Sequence, residues 1–218
     1  MGATRTNGIP KASDLKGFLV SHPAPDHSIH PQHLHDLALQ IAHNLHYQHG
    51  WTQLSLHYNK RSAESSLVSA QSTATDLPRP VLSGLPPHRL YIHPDEQMAL
   101  LQQEKDLKDA YGDTTAFSGS KPEREWVIPS HLKEKWSLRR FGECFNGVGV
   151  VPPELPSSGS SDSIKLFEEE EIEATQVEGV PTNSEWRKTK RILLATLDDD
   201  STVVYYIVHD GIVKPRQN

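Results

Sequence analysis

Apolar residues follow two rhythms along this chain, and the change from one to the other marks its elements. Between Gln32 and His49, residues Leu34, Leu37, Ala38, Ile41 and Leu45 recur at helical spacing, with Pro31 before them and Gly50 after. That pattern predicts an amphipathic helix with its start and stop signals in place. From Trp51 to Tyr58 the period drops to two, with Trp51, Gln53 and Ser55 set against Thr52, Leu54 and Leu56, and the expectation is a strand. Asn59 to Asp76 is rich in Ser, Thr and Ala and reads as a loop. Pro80, Val81 and Leu82 follow, broken at Gly84, and Arg89 to Ile92 predict a further strand. Pro94 to Tyr111 holds strong helix formers, with Met98, Leu101 and Leu107 expected to face inward. Trp126 to Ile128 predict a short strand ended by Pro129. Ser130 is then placed to cap a helix running to about Phe145, with Leu138, Phe141 and Phe145 on one side and Leu132 and Trp136 on another.

The run from Lys190 to Lys214 departs from ordinary amphipathic alternation. Ile192 and Leu194 oppose Leu193, Ala195 and Leu197, and after the acidic turn Asp198, Asp199 and Asp200, residues Val203, Tyr205 and Ile207 oppose Val204, Tyr206 and Val208. Successive side chains point to opposite faces of a strand, so both faces of this predicted hairpin are apolar. One face is readily covered by the chain itself; the other implies a partner polypeptide.

Composition narrows the class. The 218 residues are only 35% hydrophobic and include sixteen prolines, which predicts one modest folded unit with polar extensions. Residues 1–30 read as a disordered leader, and 31–218 as a single domain interrupted at about 148–184 by a Pro-, Ser- and Glu-rich insertion containing Glu168 to Glu171. The fold is expected to resume at Trp186. One cysteine, Cys144, excludes an intramolecular disulfide. The amino-terminal residues lack the apolar core of a signal peptide, no run is long enough for a membrane span, and a formal charge of −6 gives no global bias toward nucleic acid. The expectation is an intracellular, soluble protein.

Several residue sets invite chemistry. His43, His46 and His49 share an H-x2-H-x2-H spacing, but the cysteine is remote and the three spread around a helix away from its apolar stripe, so a solvated face is expected and no metal. Tyr91, His93 and Lys190 could nominally form an acid–base set for RNA cleavage, against the plainer reading of a buried Tyr and a strand-end His. Cys144 reads as a core thiol. Lys133, Lys135, Arg139 and Arg140, with Arg187, Lys188, Lys190 and Arg191, are either ordinary solvated charge or local RNA contacts. The triple aspartate is either a polar turn or an acidic plug for a basic cleft on a neighbour.

The C-terminal run ILLATLDDDSTVVYYIVHDGIVKP, with LPRPVLSGLPPHRLYIHPDEQ and EWVIPSHLKEKWSLRRF, resembles the small non-catalytic subunit of the eukaryotic tRNA-splicing endonuclease in its fungal form. The resemblance implies a mixed α/β (α+β) fold, a nuclease-type sheet flanked by helices, within a heterotetramer of two catalytic and two structural subunits in the nucleus. In that enzyme the catalytic subunits cut precursor tRNA without a metal or other cofactor, using Tyr, His and Lys, and leave a 2′,3′-cyclic phosphate and a 5′-hydroxyl. Here no His lies between His131 and His209 and no Tyr between Tyr111 and Tyr205, so the implied catalytic set is missing and no catalytic residue is expected. Val203 to Val208 would then form the contact with a catalytic subunit, and Asp198 to Asp200 the loop that docks onto the opposite heterodimer. Lys133, Lys135, Arg139, Arg140, Arg187 and Lys190 remain candidate RNA contacts.

Overall fold

The computed structural model describes residues 13–25, 28–59, 76–111, 122–153, 163–167, 187 and 189–211. Its centre is a six-stranded mixed sheet with a helix against each face, as expected for the α+β class. In chain order the elements are α1 (Asp14–Ser21), α2 (Gln32–His49), β1 (Thr52–Asn59), β2 (Asp76–Leu85), α3 (Pro94–Tyr111), β3 (Glu125–His131), α4 (Leu138–Gly147), β4 (Ser163–Lys165), β5 (Arg191–Leu197) and β6 (Val203–His209). The strands lie in the order β4-β1-β2-β3-β5-β6. Only β3 and β5 pair in parallel; the other neighbours are antiparallel.

Helix α2 is the predicted amphipathic element. Its face of Leu37, Ala38, Ile41, Ala42 and Leu45 packs on Leu54, Leu56, Leu82, Val127, Leu193, Ala195 and Leu197. It ends as the sequence indicates: Gly50 adopts φ +63°, its N–H bonds the carbonyl of His46, and Trp51 N reaches back to Leu45 O at 3.0 Å. Glycine enters this left-handed conformation without the Cβ clash other residues meet. On the opposite sheet face, Cys144 of α4 packs with Leu77, Val81, Trp126, Ile128, Val148 and Ile192. The predicted alternation of β5 is therefore real: Leu193, Ala195 and Leu197 belong to the α2 side, Ile192 and Leu194 to the α4 side.

Several expectations are corrected. Strand β3 does not stop at Pro129 but runs to His131, because residues 127–131 pair with β5. The β2 register reaches only Leu82↔Val127, so Pro129, which has no N–H to donate, falls where β3 has a ladder on one side only. Ser130 is consequently a buried strand residue whose Oγ accepts from Trp136 Nε1 at 2.8 Å. The helix begins later, capped by Ser137, whose Oγ accepts from Arg140 N at 3.2 Å, and Leu132 and Trp136 lie outside it. Gly84 is inside β2, pressed so closely on β1 that an added Cβ would fall 2.7 Å from Leu54 Cδ2. Among the described residues Arg89 to Ile92 pair with no strand; Arg89 bonds the carboxylates of Glu96 and Glu123. In α3, Met98 and Leu101 face solvent, because the helix is anchored at its first turn through buried Glu96 and Arg89 and not through an apolar stripe.

Two further differences concern the segments expected to be polar extensions. The leader contains α1, capped by Ser13 accepting from Lys16 N, and its Phe18 and Leu19 pack against the α2-side core. The insertion contains β4, which pairs with β1, followed by buried Leu166. Phe167 stacks on His46 at 3.9 Å and on Phe18 at 5.0 Å. Residues 154–162 and 168–186, including Trp186 and the Glu168–Glu171 run, lie outside the described residues, as do 1–12, the side chain of Leu107 and most of the Asn59–Asp76 loop.

Candidate protein interface at the sheet edge

β6 is the last strand of the sheet, and it forms a hairpin with β5 in a register from Leu197↔Val203 to Arg191↔His209. Along its outer side no other strand is paired with it among the described residues, leaving a row of main-chain donors and acceptors open to another chain. Its two faces are covered unequally. On the α2 side Val203 and Tyr205 join the core, and the Tyr205 hydroxyl donates to Asn44 Oδ1 at 2.6 Å with the His49 ring edge-on at 5.2 Å. Burial there pushes the phenol well above its ordinary pKa. Further along this face Ile207 is 41% exposed and borders a shallow notch with Leu90, Leu193 and Arg191. On the α4 side only Val208 reaches the core. Val204 and Tyr206, which stand opposite Thr196 and Leu194, are 44% and 56% exposed.

A hairpin this apolar needs a firm base, and a buried charge network supplies it. Arg187 and Arg191 both bond the carboxylate of Glu125, Arg191 and Arg89 both bond that of Glu123, and Arg89 also holds Glu96 of α3. Burial lowers the pKa of Arg187 despite Glu125 beside it. Burial works against Arg191 too, but hydrogen bonds and charge from Glu125 and Glu123 prevail and hold its guanidinium above its usual value. The starts of β3, α3 and β5 are thereby tied together, and Arg187, grouped from sequence with cations facing an RNA, is instead a buried structural residue with a side chain only 1% exposed.

Most of the other candidate cations have in-chain partners as well, and Lys188 lies outside the described residues. Arg139 bonds Glu143 within α4 at 3.0 Å. Arg140 pairs with Glu134 at 2.9 Å and lies 5.3 Å from the Trp136 ring, which Arg79 approaches at 4.8 Å. Arg79, fully buried, bonds the same Glu134 carboxylate. Lys190 Nζ donates to Phe145 O at 3.0 Å and sits over the Phe145 ring. Lys133 bonds Asp199. Lys135 is exposed.

The turn joining β5 and β6 is tightly built. Asp198 N donates to Thr202 O, Ser201 N donates to Asp198 O, and Ser201 takes φ +69°. The Asp199 carboxylate, hydrogen-bonded by Lys133 and near His131, is held below its ordinary pKa, and Lys133 is correspondingly raised.

The nominal acid–base set is not assembled. Arg191 lies over the Tyr91 ring, which also meets His209 edge-on at 4.5 Å. Neighbouring Lys190 points to the other side of the strand, onto Phe145 of α4. The Nδ1 of His93 accepts from Asp95 N. Nor do the three spaced histidines converge: His43 meets Phe18 and Tyr47, His46 stacks on Phe167, and His49 meets Tyr205. Among the described residues no three His, Cys, Asp or Glu side chains gather as a metal site, and no helix is long and apolar enough to cross a membrane. Cys144 is buried, its thiol raised by desolvation.

The family described as Sen15 protein matches residues 40–158 and 150–218. The chain belongs to the Sen15 family. It is also 38% identical over 190 residues, 86% of this chain and 68% of the relative, to a Neurospora crassa protein named "Probable tRNA-splicing endonuclease subunit tsp-1". Both findings agree with the resemblance drawn from the C-terminal run and the two upstream stretches. In this Sen15 family member the matched residues include every strand of the sheet and the whole β5–β6 hairpin. Sequence reasoning missed Glu123, Glu125 and His131, whose contacts with Arg187, Arg191 and Asp199 span more than 60 residues and leave no local signal.

Proposed function

We propose that this tRNA-splicing endonuclease subunit is structural and non-catalytic: it binds a catalytic subunit through β6 and helps assemble the heterotetramer that excises introns from precursor tRNA in the nucleus. Membership of the Sen15 family and the Neurospora relative's name support the assignment to the complex. The observation that carries the structural role is the half-covered terminal strand, on which Val204, Tyr206 and Ile207 stay in water although all three are large and apolar. A partner strand or surface laid on that edge would satisfy its open main-chain groups and bury those side chains. A stable interface removes about 1,600 Å² in total, so exposed Leu132, whose N–H bonds Leu197 O at the end of β5, belongs to the proposed footprint. The acidic turn Asp198–Asp200 is assigned to docking on a basic site of another subunit. Lys135, Arg139 and Arg140 are the residues left to approach precursor tRNA in the complex.

Tyr205 is packed on α2, so a charge there would disturb the fold itself. Tyr206→Asp and Ile207→Asp probe the exposed positions instead. Each is expected to retain the parent melting temperature and to abolish co-purification with the catalytic subunit. A complex that still assembles with both substitutions present would refute the interface.

A further inference from the structure

Lys133 falls among the cations that sequence offers to a phosphate, yet its ammonium and the His131 imidazole converge on one carboxylate of the acidic turn. His131 Nε2 lies 3.2 Å from Asp199 Oδ1, and Lys133 Nζ bonds Asp199 Oδ2. Between them, Leu132 N donates to Leu197 O at 2.8 Å. The other ring nitrogen of His131 accepts from Lys133 N at 3.2 Å, so a neutral His131 carries its proton on Nε2, directed at Asp199. The end of β3 is thus tied to the turn by main chain and by two side chains.

The remaining carboxylates stiffen the turn from within. Asp198 Oδ1 accepts from Asp199 N, and Asp200 Oδ1 accepts from Thr202 N, both at 2.8 Å. Ser201 completes it in the left-handed region, a conformation that costs a non-glycine residue roughly 1–2 kcal/mol. Strained backbone of this kind persists where its surroundings over-determine it.

We infer that His131 and Lys133 are positioning residues for the acidic turn, clasping Asp199 so that Asp198 and Asp200 are presented in one fixed geometry to a basic site on a partner protein. The inference rests on the proposed docking role of that turn. It assigns the three aspartates different work, with Asp199 neutralised inside the chain and the two flanking carboxylates directed to recognition. It also removes Lys133 from the RNA-facing set. A recognition loop ordered before binding gives up less conformational freedom on docking, and fixed complementary charges set register.

The test uses the full chain, titrated onto the remaining subunits of the complex, together with amide hydrogen exchange of the chain alone. Lys133→Met and Asp199→Asn are each expected to raise the Kd about three- to fivefold, within the range measured for exposed ion pairs. The double variant should be no weaker than either single one, and both should speed exchange at Ser201 and Leu132. Asp198→Asn with Asp200→Asn keeps the turn's acceptors but removes its outward charge, and should weaken docking without speeding exchange. If that pair docks like the parent chain, the docking role falls and the inference with it. Should the pair weaken docking while Lys133→Met changes neither Kd nor exchange, the docking role stands and the clasp is overturned. Additive effects in the double variant, or a Lys133→Met variant that loses only tRNA affinity, would also overturn the clasp.

Discussion

The hydroxyl of Tyr205 donates to Asn44 Oδ1 at 2.6 Å, joining the terminal strand to helix α2 across 161 residues of chain. One residue further on, Tyr206 points the other way and is 56% exposed. Adjacent tyrosines in one strand therefore have different duties. Tyr205→Phe should lower stability by about 1 kcal/mol, the usual net worth of one hydrogen bond, and leave assembly intact. Tyr206→Phe should change the melting temperature hardly at all. Thermal melts of the two variants compare them directly.

Glu125 faces two buried guanidiniums, Arg187 and Arg191. Removing one member of a buried ionic set leaves uncompensated charge, at a cost of about 3–5 kcal/mol. Glu125→Gln should accordingly shift the urea midpoint strongly downward. Arg139→Gln, whose side chain is 89% exposed and paired only within α4, should leave the midpoint within experimental scatter.

Ser201 at φ +69° offers a gain of stability. Ser201→Gly relieves the left-handed strain but adds freedom to the unfolded chain, and the balance should favour the fold by about 0.5–1 kcal/mol. Ser201→Val should destabilise. Chemical denaturation of the three proteins gives the order, and a parent chain more stable than Ser201→Gly would contradict it.

Acid should loosen the region around α1. His43, between Phe18 and Tyr47, has its pKa lowered by burial and by nearby His46, against an opposing pull from Asp14. Because the folded pKa lies below the ordinary 6.5, the neutral ring is favoured in the fold. Stability is therefore full above pH 6.5 and declines as pH falls from there through the lowered value. His209 is lowered by burial and by Arg191 and adds a change of the same sign. Melting temperatures taken from pH 7.5 to 5 should fall, and His43→Gln should flatten that slope.

Elements carried by local periodicity were legible in the chain. Helix α2, its Gly50 stop and the opposed faces of β5 follow from side-chain spacing alone, because a helix or strand turns that spacing directly into a face. The errors arise where a distant partner overrides a local signal. Ser130 looks like a cap, and only the parallel ladder to β5 makes it a strand residue and leaves Ser137 to cap the helix. Met98 and Leu101 looked inward by helix pattern, but α3 is held by Glu96 and Arg89 at its start. For the candidate site, the apolar hairpin and the acidic turn were visible, whereas the clasp on Asp199 was not. Nothing near His131 or Lys133 in sequence points to a residue 66 or more positions away.

By itself the amino-acid order determined that the last two strands are apolar on both faces, that three carboxylates crowd the turn between them, and that the chain resembles a tRNA-splicing endonuclease subunit. Only the tertiary structure decided which face α2 covers, which cations are buried at Glu123 and Glu125, and that β6 ends the sheet with Val204 and Tyr206 in water. The division follows from range. Periodicity is written between near neighbours, while coverage of a face and pairing of a charge depend on which distant segments the folded sheet brings alongside.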